Sequence, residues 1–116
     1  MTPDLTNSDD VPIEFRLVTR YATRSEEAAD DNQSRIEAVF AELEETQPDN
    51  VSYIVLRLAD DSFVHVSFHG HAHDGPNPIA GTAAFKHFGN AHDERREGDV
   101  DQQQARLVGA YIRAIG

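Results

Sequence analysis

The sequence predicts one small α+β domain in which a four-stranded antiparallel sheet carries two helices on one face. Three observations lead there. The chain has 116 residues, the size of a single domain. Its apolar residues alternate at a period of two in some segments and recur at helical spacing in others. Those segments follow one another as β-α-β-β-α-β, the split βαβ order of ferredoxin-like domains.

Residues 1–11 are polar, carry Asp4, Asp9 and Asp10, and read as a loose acidic tail, leaving 12–116 as the domain. Ile13 to Tyr21 is the first predicted strand, because Ile13, Phe15 and Leu17 alternate with Glu14, Arg16 and Val18. Helical spacing follows at Ala28, Ala29, Ile36, Val39, Phe40 and Leu43. Ser25 is the cap, Glu26 and Glu27 lie in the electropositive first turn, and Pro48 and Asn50 stop the helix. Val51 to Leu58 and Ser62 to His69 are two strands joined by the polar turn Ala59, Asp60 and Asp61, hence a hairpin. Gly70, Gly75, Pro76 and Pro78 mark a loop. A second helix is predicted over Ile79 to Arg95, weakened by Gly81 and Gly89. Residues 96–104 read as a polar connection, and Leu107 to Ile115 as the last strand.

Strand alternation sorts these residues into two faces. Ile13, Phe15, Leu17, Ile54, Leu56, Leu58, Val64, Val66, Phe68, Val108, Ala110 and Ile112 form an apolar set, expected beneath the helices. Arg16, Val18, Tyr53, Val55, Arg57, Phe63, His65, Ser67, Tyr111 and Arg113 form a mixed set, too aromatic for bare solvent surface. A second copy packed on that mixed face would cover it, since a twofold makes one patch self-complementary. The expectation is a homodimer whose two sheets enclose a barrel lined by arginine, tyrosine and histidine.

Composition narrows the function classes. A net charge of -11 and an isoelectric point near 4.7 argue against a nucleic-acid backbone or an anionic membrane as partner. The absence of cysteine removes disulfides, thiolate catalysis and cysteine metal sites. No apolar run approaches the roughly 18 residues of a membrane span. With a polar, acidic N-terminus as well, a cytoplasmic location is expected.

Two constellations can carry chemistry. On the mixed face, a neutral His65 can take a proton from a phenol-like substrate. Arg16, Arg57 and Arg113 can hold a carboxylate or enolate oxygen, or pair with the chain's own carboxylates. Tyr53 and Tyr111 can donate hydrogen bonds, and Phe63 and Ser67 flank the histidine on its strand. The second constellation is the tract from His69 through His71 and His73 to Asp74, whose imidazoles at i, i+2 and i+4 are weak metal-ligand candidates without a second cluster to close the site.

Further local patterns carry a resemblance. Asp31, Asn32 and Gln33 followed by the segment from Ile36 to Leu43, then Tyr53, Arg57 and Leu58, the run from Phe63 to Val66, Asn77 and Pro78, Ala84 and Phe85, Phe88, and Val108, Gly109 and Tyr111 together resemble the dimeric α+β barrel superfamily of antibiotic-biosynthesis-monooxygenase-like domains, in particular a subgroup of small uncharacterised members. The resemblance spans roughly residues 13–115 and implies the fold rather than a reaction. Quinone-forming and haem-degrading members rely on a tryptophan with an asparagine; this chain has no tryptophan, and Asn32 is its candidate for the asparagine. The first expectation is thus a cofactor-independent monooxygenase or isomerase acting on a small acidic or phenolic molecule. His65, Arg57 and Tyr111 are its expected catalytic residues; Arg16, Tyr53, Phe63, Ser67, Arg113 and Asn32 are expected to contact the substrate. The alternatives are a non-catalytic binding or interaction protein on the same fold, and metal binding by the histidine-rich loop.

Overall fold

The structure, a computed structural model, describes residues 15–70 and 77–112. Its elements are β1 (Phe15–Thr23), α1 (Glu26–Thr46), β2 (Val51–Arg57), β3 (Phe63–His69), α2 (Ala83–Gly89), α3 (His92–Arg95) and β4 (Arg96–Gln104). The four strands form one antiparallel sheet in the order β2-β3-β1-β4. This is the ferredoxin-like arrangement: β3 returns from its hairpin with β2 to pair with β1, and β4 closes the far edge.

Local chemistry explains the boundaries. Ser25 accepts the Ala28 N–H at 3.0 Å and starts α1 above Glu26 and Glu27. Gln47 ends it in the left-handed region at φ 48°, its N–H bonded to the Leu43 carbonyl at 2.7 Å, immediately before Pro48. The β2–β3 turn holds because Asp60 accepts from both the backbone and the hydroxyl of Ser62.

Two elements differ from expectation. The second helical stretch is not continuous: α2 is capped by Thr82, which accepts from the Phe85 N–H, and the chain breaks at Asn90 and Ala91 before the single turn of α3. Arginines compensate for the break. Arg35 donates to the carbonyls of His87 and Asn90, and Arg95 to those of Phe88 and Asn90, satisfying groups that an ended helix leaves open. At its start, α2 docks on α1 through Glu42, whose carboxylate accepts from the N–H groups of Ala83 and Ala84 at 3.1 and 3.0 Å.

The last strand is also displaced. It occupies Arg96–Gln104, the segment read as a polar connection, whereas residues 105–112 form no strand or helix and leave Val108, Tyr111 and Ile112 exposed. The cause is the edge position of β4: its backbone completes the ladder with β1 while most of its side chains stay in solvent, so the strand needs no apolar alternation.

The expected assignment of the sheet faces is reversed. Tyr53 and Val55 on β2 and Phe63, His65, Ser67 and His69 on β3 lie toward the helices. Ile54 and Leu56 lie on the open face, 51% and 52% exposed, in register with Val66 and Val64. In β1 the phase also differs. Leu17 pairs with Ser67, and so belongs to the helix side; Arg16 and Val18 pair with Phe68 and Val66, on the open side. The mixed face is therefore covered by the protein's own helices, and the apolar face is the one left open. The physical reason is that the polar groups on the helix side satisfy one another, which removes the cost that made burial there improbable from sequence. The core beneath the helices is Tyr21, Ala29, Ile36, Val39, Phe63, Ile79 and Phe88.

Candidate functional site

A cavity of about 160 Å³ opens between the helix-side face of the sheet and the segment from Asn77 to His92. Its floor is Leu17, Thr19 and Tyr21 of β1 with His65, Ser67 and His69 of β3, side chains that share a face by strand alternation. Ile79, Ala80, Phe85 and Phe88 close it from the helix side, and Tyr53, His92 and Gln102 complete its polar wall.

At the floor lies a continuous buried hydrogen-bond chain. The Tyr21 hydroxyl is 2.7 Å from His65 Nε2, and the Tyr53 hydroxyl 2.6 Å from His65 Nδ1. Asn32, wholly buried on α1, donates from Nδ2 to the Tyr21 oxygen at 2.9 Å. Arg95 donates from Nε to Asn32 Oδ1 at 3.1 Å, and its remaining nitrogens reach the Phe88 and Asn90 carbonyls. One chain thus ties β1, β2 and β3 to α1 and α3. Aromatic packing fixes its members: Tyr21 is stacked on Phe63, and Tyr53 on Phe40.

Burial sets the protonation states. It lowers His65 to about 4, with neighbouring His92 contributing, so the imidazole is neutral near pH 7. Burial pushes the Tyr21 phenol up to about 12, against the opposing Asn32 hydrogen bond, and raises Tyr53 as well. His92 is lowered to about 4, by burial first and then by the nearby charges of Arg95 and Arg96. The site is an uncharged phenol–imidazole–phenol array over an aromatic pocket.

The sequence-predicted residues divide as follows. His65, Tyr53 and Ser67 line the cavity, and Asn32 supports it through Tyr21. Phe63 lies beneath, packed on Tyr21. Arg57 is engaged elsewhere, with Asp30 at 2.9 Å, Asp61 at 2.7 Å and Gln33 at 2.8 Å. Arg16 is on the opposite face, and Tyr111 is 85% exposed on the segment after β4. Arg113 and the loop residues His71, His73 and Asp74 lie outside the described residues. His69 is buried on the cavity floor with Nε2 2.7 Å from the Ser67 hydroxyl, and among the described residues no cluster of three or more potential ligands could hold a metal ion.

Sequence reasoning missed Tyr21, His92 and Arg95. Tyr21 was signalled: it continues the Leu17, Thr19 alternation of β1. For Arg95, whose partners lie up to 63 residues away, no local pattern existed.

Against known proteins, no family model and no curated sequence matches the chain. Solved structures do. The "putative antibiotic biosynthesis monooxygenase" of Caulobacter crescentus CB15 superposes with a TM-score of 0.65 at 15% identity, over 85% of this chain and 93% of that one. A conserved protein from Methanosarcina mazei Go1 gives 0.64 at 10% identity, over 83% and 94%. SnoaB from Streptomyces nogalater, a cofactor-independent oxygenase, gives 0.57 at 14% identity, over 82% and 93%. The fold is therefore the ferredoxin-like α+β fold of antibiotic-biosynthesis-monooxygenase-like proteins. The same fold serves proteins of unknown function, one of them from Nitrosomonas europaea.

Proposed function

We propose that the chain is a small-molecule enzyme of the cofactor-independent monooxygenase kind, acting on a phenolic or enolisable compound bound in the cavity beside His65. The observation that carries this reading is the neutral imidazole held between two phenols in a pocket whose helix-side wall is Ile79, Ala80, Phe85 and Phe88. Flat aromatic ligands suit such walls, and a cavity of about 160 Å³ admits a single substituted ring. The uncharged polar array faces the ligand's oxygen and stabilises charge as it develops there. In an oxygenation of this type, a phenol and dioxygen give a quinone and water: one oxygen atom enters the ring and the other leaves as water. Among the described residues no arginine, lysine or carboxylate lines the cavity to compete with the substrate as an electrostatic partner.

Within this reading Tyr53 keeps the substrate contact expected from sequence, His65 acts on the substrate through the two tyrosines that occupy its nitrogens, and Tyr21 takes the place expected of Arg57 and Tyr111. SnoaB, named as a cofactor-independent oxygenase on this fold, supports the class. A non-catalytic binding protein is the second reading, favoured by one observation: both ring nitrogens of His65 already have protein partners. We further propose that two copies associate through the open apolar face around Ile54 and Leu56.

Oxygen consumption over a panel of substituted phenols, catechols and hydroquinones, single rings of the size the cavity admits, paired with binding by NMR, tests the reading. Turnover lost in Tyr53→Phe supports the enzyme. Saturable binding without oxygen uptake across the panel leaves the binding protein. No binding at all removes both.

A further inference from the structure

We propose that the buried hydrogen-bond chain has one fixed sense, from Arg95 to Tyr53, and that Tyr53 is the group that donates to the ligand, so that the cavity selects molecules presenting a carbonyl or other accepting oxygen. This rests on the cavity being a ligand site and adds which residue reads the ligand and what chemistry it reads.

The sense follows from Arg95. A guanidinium has donors only. Its Nε lies 3.1 Å from Asn32 Oδ1, so that atom of the amide is the acceptor and Nδ2 is the donor. Nδ2 lies 2.9 Å from the Tyr21 oxygen, which therefore accepts. The Tyr21 hydroxyl retains one hydrogen of its own. Among the described residues its only other hydrogen-bond partner is His65 Nε2 at 2.7 Å, so Tyr21 donates there. A neutral imidazole that accepts at Nε2 carries its proton on Nδ1. Nδ1–H then donates to the Tyr53 oxygen at 2.6 Å. At this point the chain runs out: the hydroxyl hydrogen of Tyr53 has no acceptor among the described residues, and Tyr53 lines the cavity.

The reverse sense is disfavoured by the same inventory. If Nε2–H donated to Tyr21, that oxygen would accept twice and its own hydrogen, on a cavity-floor side chain only 4% exposed, would have no acceptor among the described residues. The order that follows from Arg95 places the spare hydrogen on Tyr53, the less buried of the two tyrosines that border the cavity. Arg95 and Asn32 are positioning residues: neither lines the cavity, yet together they decide which phenol faces the ligand as donor.

Two measurements on the full chain test this. Long-range 1H–15N NMR at neutral pH reads the His65 tautomer directly. The Nδ1–H form is expected, and an Nε2–H form overturns the assignment without need of any variant. Binding is then compared for acetophenone and α-methylstyrene, which share a shape and differ in C=O against C=CH2. Wild type should bind acetophenone about tenfold more tightly, and Tyr53→Phe should reduce the ratio to within about twofold while keeping its affinity for α-methylstyrene. Asn32→Leu should erase the tautomer preference while leaving the Tyr53 hydroxyl in place. Equal binding of both probes by wild type, or a preference that survives in Tyr53→Phe, overturns the donor assignment while the cavity stands as a ligand site. If neither probe enters, the cavity reading falls and this inference with it.

Discussion

Acidification from pH 7 should destabilise this protein through His65 before carboxylate protonation dominates. His65 is lowered to about 4 in the folded chain and returns to about 6.5 on unfolding. The unfolded chain therefore binds the extra proton at a higher pH than the folded one, and stability rises with pH across that window. Read downward, the loss begins near pH 6.5 and levels off below about pH 4, where both states are protonated. A separation of about 2.5 units corresponds to a loss of about 2 kcal/mol by pH 5 and about 3 kcal/mol by pH 4. For a domain of ordinary stability that is a large fraction of the total. The structural cause is burial, which disfavours the charged imidazolium, with neighbouring His92 adding to it. Urea unfolding at intervals between pH 7 and pH 4 measures the effect. His65→Gln, which keeps a polar group and removes the titration, isolates the residue. The wild type should lose about 2 kcal/mol more than the variant between pH 7 and pH 5. Parallel pH profiles for the two proteins would refute the claim that His65 is buried neutral, and with it the electrostatic description of the site.

Phe63→Ala should cost about 3–5 kcal/mol in urea, because this ring is fully buried against Tyr21, whereas Leu56→Ala on the open face should cost well under half as much in the isolated protomer. Leu56→Asp tests the association: sedimentation should show a dimer for wild type and a monomer for the variant, with the protomer's circular dichroism unchanged. Glu42→Ala should lose about 1 kcal/mol and speed hydrogen exchange at the Ala83 and Ala84 amides, which its carboxylate holds. Replacing Asn32 by leucine should cost more than about 2 kcal/mol, since Arg95 and Tyr21 would each lose a buried partner; an unchanged urea midpoint would contradict the description of that network.

The sequence by itself determined the element types along most of the chain, because the information lies within a few residues. Ser25 caps α1, the helix stops just before Pro48, and the turn through Asp60 and Asp61 joins β2 to β3, with the cap and the turn held by contacts of four residues or fewer. Alternation likewise placed Tyr53 on one side of β2 and Phe63, His65 and Ser67 together on β3. What it could not label was which side of the sheet the helices cover. Period two separates faces without naming them, and counting apolar residues gave the wrong side because the polar ones satisfy each other across long sequence distances: Tyr21 with His65 over 44 residues, Asn32 with Arg95 over 63. Local pattern also missed β4, since an edge strand is held by backbone pairing with β1 and needs no apolar signature. The same physics decided the candidate site. His65 was legible as a histidine among aromatic residues; that it is neutral, doubly bonded and beneath α2 follows only from the tertiary packing that brings Tyr21, Tyr53, Asn32 and Arg95 around it, because desolvation and hydrogen-bond direction are properties of that assembled environment and of no segment alone.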